Sequence, residues 1–356
     1  MLKENINNGF KNITLFLAHE LSRDKVIYWT TFISTVLAVS LSFISGGDIP
    51  YNANQYLNVL VEAGFITLVI WYCYYYLRLL FKLHPTPLRA LFLQFKLLFT
   101  PYYRPIYLAL IFACIGVSLS NFTFVKANIP FLNPYQYDLI FSQLDQALHF
   151  GYQPWQLTHA WFSSIYASLT INIAYNAWFF VMWVTLIFFI FYRKNDHLRK
   201  QFLLCFFLSW FLIGGGMATI LSSMGPCYFE QATNSNLYIP LMIRLSEQSA
   251  MLVENDHLPL WAINTQKDLW VSHINQSGGI GAGISAMPSM HVSIAVLIAI
   301  SLFKLNKTLG VVAWGYAILI QIGSVHLGWH YAVDGYISAI MTSLLWLIIE
   351  KKIHQL

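Results

Sequence analysis

The chain has 356 residues, of which 57% are hydrophobic, 17% aromatic and only 10% charged. Soluble domains carry about 25% charged residues, so this composition and a mean hydropathy of +0.57 exclude an ordinary soluble protein. A formal charge of +5 would suggest nucleic acid in a soluble chain; here it is read as orienting a polytopic membrane protein, with no nucleic-acid partner.

No removable signal peptide is expected in the first 25 residues, because no apolar core leads to a small-residue cleavage site. Asn12–Leu21 mixes polar and apolar residues as a short interfacial helix would. Eight apolar stretches then follow: Val26–Ile44, Asn58–Phe81, Pro105–Val125, Ile171–Tyr192, Gln201–Leu221, His291–Phe303, Leu309–Val325 and Tyr336–Ile349. The sixth and the last fall short of the roughly 20 residues of a full crossing, so motif residues at their outer ends are expected to complete them. The expected fold is an all-α membrane helix bundle. Its N-terminal spans and an outer aromatic loop cover 1–170. A catalytic membrane core, with a long outer loop over 222–287, covers 171–356.

With both termini in the cytoplasm, every Lys and Arg except Lys126, Arg244 and Lys267 falls in an inner segment, the bias that the positive-inside rule requires. The outer segment Lys126–Thr170 carries Trp155 and Trp161, suited to the headgroup level. The longer segment Ser222–Met287 is broken by Pro, Gly and Asn and ends in the run Gly278–Gly283, read as a linker or a closely approached backbone. Cys73, Cys114 and Cys205 lie in apolar runs as small hydrophobes, and Cys227 stands alone, so no disulfide framework is expected.

The chemistry concentrates in two places. Ala286-Met-Pro-Ser-Met-His291 opens one short apolar stretch, and His326-Leu-Gly-Trp-His-Tyr-Ala-Val-Asp334 opens another. Pro288 suits a first helical turn, which puts Ser289 and His291 where free N–H groups favour a bound anion. His330 and Asp334, spaced i, i+4, are expected on one helical face. There the carboxylate would hold one imidazole nitrogen protonated and leave the other as a nucleophile. His291, protonated beside a phosphate dianion, would then supply a leaving-group proton. Arg244 and Lys267 are candidate headgroup contacts. Asp138, Asp145, His149, His159, His257 and His273 are read as polar loop residues.

Two rival readings use the same residues. His326, His330 and Asp334 at i, i+4, i+8, joined by His291, could ligate a metal in a membrane metalloenzyme. A transporter would use them as proton or ion sites, although no inverted repeat is visible.

Met287-Pro-Ser-Met-His-Val-Ser293 and His330-Tyr-Ala-Val-Asp-Gly335 resemble the type 2 phosphatidic acid phosphatase superfamily, more closely its inositol phosphorylceramide synthase-like branch. Gly225-Pro-Cys-Tyr-Phe229 is loosely similar to a proline–aromatic motif of that branch. The resemblance covers Ser209–Ile349. It implies a phosphohistidine mechanism with His330 as nucleophile, Asp334 as its orienter, His291 as acid/base and no metal or other cofactor. The implied substrate is a membrane lipid bearing a phosphate or phospho-headgroup. The phosphoryl or phospho-headgroup would pass to water or to a hydroxylated acceptor on the periplasmic or lumenal face, a bacterial inner membrane being the expected setting.

Two departures stand out. Gly323-Ser324 occupies the place of the superfamily's Ser-Arg, leaving His326 as a candidate phosphate contact or a plain interfacial histidine. Its Lys-x6-Arg-Pro is also missing, since Lys96 and Arg104-Pro105 are one residue too far apart and fall on the inner side.

Overall fold

A computed structural model of the chain describes residues 18, 20–100 and 104–353. Most of the interfacial helix expected over Asn12–Leu21 lies outside these residues. Among the described residues the protein is all helical.

In chain order the helices are α1 (Lys25–Ile44), α2 (Leu57–Phe81), the short α3 (Pro87–Leu98) and α4 (Arg104–Ala127). Then come α5 (Asp138–Leu148), α6 (Pro154–Trp161), α7 (Ile165–Phe191) and α8 (Asp196–Ile220). Helices α9 (Ile239–Glu254) and α10 (Trp261–Ile274) fold the long loop, and α11 (Met290–Leu305), α12 (Lys307–His326) and α13 (Ala332–Ile353) complete the bundle. Seven of them, α1, α2, α4, α7, α8, α12 and α13, are long and apolar enough to cross a membrane. The eighth expected span, α11, has 16 residues, about 24 Å of helix against a hydrocarbon core of about 30 Å.

Local sequence sets several starts. Ser164 accepts from the Ala167 N–H and opens α7 six residues before the apolar run begins; Asn195 and Asn306 cap α8 and α12 in the same way. Pro154 opens α6, with Gln153 and Gln156 closing a reciprocal capping box. Helix α8 changes to a π-helix over Ser209–Met217, an irregularity that frequently marks functional sites.

Helix α11 is the axis of the bundle. Val292 to Ala299 are all buried, as expected of a helix apolar on every side, and α12, α13, α8 and α7 pack around it. Helices α1, α2 and α4 form a second group that meets the first where α2 lies against α7 and where α1 and α4 touch α8. Outward-facing Trp29, Phe32, Phe65 and Phe180 are exposed in the isolated chain, as a lipid-facing surface requires. Cys73 shares that outward surface instead of the expected burial, and all four cysteines are unpaired.

The end of the bundle away from α11's first residue is tied by charge. Asp24 is buried against Arg199, with N···O distances of 2.6 and 3.0 Å, and accepts from the Tyr107 hydroxyl. The Lys96–Arg104 pair belongs to this end too. Arg104 starts the 24-residue α4, and Lys126 stands in its last turn about 33 Å away.

Candidate active site

The first arm of the site is the start of α11. Ser289 is the N-cap residue, so Pro288 lies before the helix and not in its first turn as expected. The Ser289 hydroxyl is buried and makes no capping bond, while its N–H donates to the Asp334 carbonyl at 3.3 Å. His291 stands in the first turn. Its ring stacks on Tyr175 at 4.6 Å and packs against Trp178 at 4.3 Å between centroids. Among the described residues it makes no hydrogen bond.

The second arm corrects the helical-face expectation for His330 and Asp334. Helix α12 stops at His326 because Gly328 takes φ +74, a left-handed conformation suited to glycine at a helix end. The Trp329 and His330 N–H groups turn back to the Ser324 carbonyl at 3.0 and 3.1 Å, and α13 begins only at Ala332. His330 therefore sits in a turn, and Asp334 reaches back to it from the first turn of α13.

Their expected contact nonetheless forms. His330 Nδ1 lies 2.9 Å from the Ala286 carbonyl and 3.2 Å from Asp334 Oδ2. Two acceptors at Nδ1 assign the proton there and leave the Nε2 lone pair free. Burial, with the Lys126 charge adding to it, lowers His330 to about 3, partly opposed by the Ala286 carbonyl. The ring is thus neutral at ordinary pH. The His291 and His330 ring centroids are 6.3 Å apart.

Asp138 and Asp145, read from the sequence as loop groups, are buried and brace this turn. Asp145 accepts from the Ala332 and Val333 N–H groups at 2.7 and 2.9 Å, capping α13 from a distant part of the chain. Asp138 accepts from the Tyr331 hydroxyl at 2.8 Å and from the Met224 and Gly225 N–H groups. Burial raises both carboxyls, Asp145 to about 6, while these N–H donors pull the other way. The legible signal was their seven-residue spacing, which puts both on one face of α5.

The Gly225-Pro-Cys motif joins the two arms. Gly225 takes φ +95, and a Cβ there would meet the Trp329 carbonyl oxygen at 2.8 Å and Ala286 Cβ at 2.9 Å. The Cys227 N–H donates to the Gly328 carbonyl at 2.9 Å.

His291, His330 and Pro288 line a cavity of about 480 Å3. Its walls are mainly aromatic and apolar, with Trp178, Phe122 and Met182 among them, and Lys126 and Glu62 reach it from α4 and α2. The sequence reading placed Lys126 beside the membrane but gave it no role.

The remaining candidates are not brought to this cavity. His326 is buried on the far side of the Gly328 turn, stacked on His159 at 3.8 Å, with Nε2 2.9 Å from the Ser168 hydroxyl. Burial lowers that His159 neighbour to about 4. Arg244 donates to the Ser163 carbonyl at 3.3 Å, and Lys267 is exposed on α10. The i, i+4, i+8 metal arrangement requires a continuous helix, which Gly328 prevents. No group of three or more His, Cys, Asp or Glu among the described residues is placed to hold a metal ion.

Seven long apolar helices, with a cavity lined by two histidines among them, fit an integral membrane protein. Residues 139–348, more than half of the chain, match the PAP2 superfamily, and the chain belongs to it. The match starts about 70 residues before the stretch that carried the resemblance, so it takes in most of α5 and with it Asp145. Neither the curated proteins nor the solved structures contain a match to the chain. Membership and the helical membrane fold fit a phosphatase or phosphotransferase, and a lipid phosphate substrate is consistent with both.

Proposed function

We propose that the protein transfers a phosphoryl group or phospho-headgroup from a membrane lipid, through a phosphohistidine on His330. The observation that carries this reading is the pair of rings 6.3 Å apart on one cavity wall, one with its Nδ1 proton held by Asp334 and Ala286.

In the first step the His330 Nε2 lone pair attacks phosphorus, and the bond from phosphorus to the leaving oxygen breaks. His291, protonated beside the bound phosphate, gives its proton to that oxygen. In the second step water or an acceptor hydroxyl gives its proton to His291 and attacks phosphorus, and the P–N bond breaks. Asp334 keeps the proton on Nδ1 and stabilises the ring as it becomes cationic, as orienting carboxylates do in other triads.

The motif likeness to the inositol phosphorylceramide synthase-like branch favours a lipid or sugar hydroxyl over water as acceptor. The test is mass spectrometry of lipids turned over by purified protein in mixed-lipid micelles, with His330→Ala as control. A phosphorylated lipid should lose its headgroup in the wild type alone, and the headgroup should reappear on a hydroxylated acceptor. Equal turnover by His330→Ala would refute the mechanism; free phosphate as the sole product would refute the acceptor.

We also propose that this end of the bundle faces away from the cytoplasm, from the placement of basic residues in the sequence. Asn255, exposed just after α9, offers the test: Asn255→Cys should react with an impermeant thiol reagent on intact cells. Labelling only after lysis would reverse the orientation.

A further inference from the structure

Glu62 is the sole acidic residue between Asp48 and Asp138. It stands about 7.5 Å along α2 from Leu57, within a helix long and apolar enough to cross the membrane. A carboxylate in such a place is costly and by default serves a ligand or an ion. Val59 and Ile66, at i−3 and i+4, line the cavity together with Glu62. The carboxylate thus belongs to the face of α2 that is turned towards the two histidines.

The protein supplies no partner for that charge. Among the described residues Glu62 makes neither a hydrogen bond nor an ion pair. Lys126, the other Lys, Arg, Asp or Glu on the wall, bonds to the Gly281 carbonyl at 3.4 Å and not to Glu62.

The surface around Glu62 is aromatic. Helix α2 packs against α7, whose Phe179, Phe180 and Trp183 line the same cavity. Trp183 lies 6.4 Å from Tyr56, the residue that precedes α2. Phe179 meets the His291 ring edge to face at 5.8 Å, so the aromatic patch runs from α2 to the paired histidines. Aromatic faces attract a cation, more strongly where water is excluded. An unpaired carboxylate beside such rings is complementary to an alkylammonium group.

From this geometry we infer that Glu62 and the α7 rings form a subsite for the ammonium of the phospho-headgroup. The substrate class is a phospholipid with an amino-alcohol headgroup, phosphoethanolamine or phosphocholine. The inference rests on the reading of the cavity as a phosphoryl-transfer site, and it names the donor for that site. A headgroup bearing hydroxyls alone would leave the Glu62 charge unneutralised, which is unfavourable away from water.

The experiment uses the full chain in detergent, with phosphoethanolamine, phosphocholine and glycerol 3-phosphate as probes. Binding is read from the concentration dependence of the melting temperature. The wild type should bind the ammonium probes more tightly than glycerol 3-phosphate. Glu62→Gln should weaken phosphoethanolamine about tenfold to hundredfold, the range for hydrogen bonds to charged groups. Phosphocholine, which the rings also hold, should lose less, and glycerol 3-phosphate should be little affected. Glu62 is exposed in the isolated chain, so the substitution removes no packing, and Glu62→Ala serves as a second variant. In mixed micelles the preference for phosphatidylethanolamine over phosphatidylglycerol should fall in the same variants, whereas turnover of soluble phosphoethanolamine alone would contradict a lipid donor. Glycerol 3-phosphate bound by the wild type as tightly as both ammonium probes, or equal affinities in the wild type and Glu62→Gln, would overturn the inference. Slower turnover with all three affinities unchanged would overturn it too, because Glu62 would then act in the reaction. Glu62-dependent ammonium binding without a phosphohistidine on His330 would instead sink the proposed mechanism and leave the subsite standing.

Discussion

His330 sits in a turn whose polar groups are almost all committed: Nδ1 to Ala286 and Asp334, the flanking N–H groups to Ser324, Asp334 and Asp145, and the next side chain to Asp138. His291, with its ring centroid 6.3 Å away, stacks on Tyr175 and packs against Trp178, and among the described residues nothing hydrogen-bonds its ring. The difference matches the tasks assigned to them. A nucleophile must keep one tautomer and one direction, which hydrogen bonds enforce. A proton carrier must change state within each turnover, and a partner that fixed either state would oppose it. Aromatic faces position the ring and leave both nitrogens available.

The largest effect should come from the committed ring. His330→Ala should remove turnover and all trapped phosphoenzyme; retained phosphoenzyme would break the comparison at once. Asp334→Asn should keep the fold and lose roughly two to four orders of magnitude in rate, as orienting aspartates do elsewhere. A loss under tenfold would mean that the Ala286 carbonyl alone fixes the tautomer.

His291→Ala sharpens the other side. On an alkyl phosphate ester it should cost about a hundredfold or more, the range for a general acid, and much less on a nitrophenyl ester, whose leaving group needs no proton. Equal losses on both esters would assign His291 to binding. Asp145→Asn should cost about tenfold to hundredfold in kcat with KM little changed, because small misplacements of a reacting group have that effect. An unchanged kcat would show that the brace on α13 is structural alone.

The smallest expected effect concerns pH. Carbethoxylation by diethyl pyrocarbonate needs a neutral imidazole, so a free histidine reacts about 30-fold more slowly at pH 5 than at pH 7.5. His330, lowered to about 3, should react at nearly the same rate at both, measured by mass spectrometry of its peptide. The linked stability has a definite sign. The unfolded ring takes up a proton first, near its ordinary value of about 6.5. The stability contributed by the neutral ring is therefore present above that value and is lost as pH falls toward 3.

Much of this arrangement was legible in the sequence. The spans are long apolar runs, and the ends of α11 and α13 carry Pro-Ser-x-His and His-x3-Asp at spacings that chemistry explains. The helical face drawn through His326, His330 and Asp334 failed at a single residue. Gly328 permits a left-handed turn, and that turn sends His326 to His159 and Ser168. Asp138 and Asp145 left little trace because they act on distant backbone N–H groups, 187 residues away for Asp145 and Ala332. Any residue type donates such a bond, so nothing in the partner's sequence announces it. Lys126 was hidden differently, since a basic residue ending a span looks like an ordinary flanking charge.

The central claim is that His330, not His291, carries the phosphoryl group. Protein mixed with a phosphorylated lipid and quenched in alkaline denaturant, which preserves phosphohistidine, can be digested and mapped by mass spectrometry. The phosphate should be found on the His330 peptide, be absent in His330→Ala, and, with a nitrophenyl phosphate ester in place of the lipid, accumulate when His291→Ala slows the second step. Phosphate on the His291 peptide, with none on His330, would contradict the account.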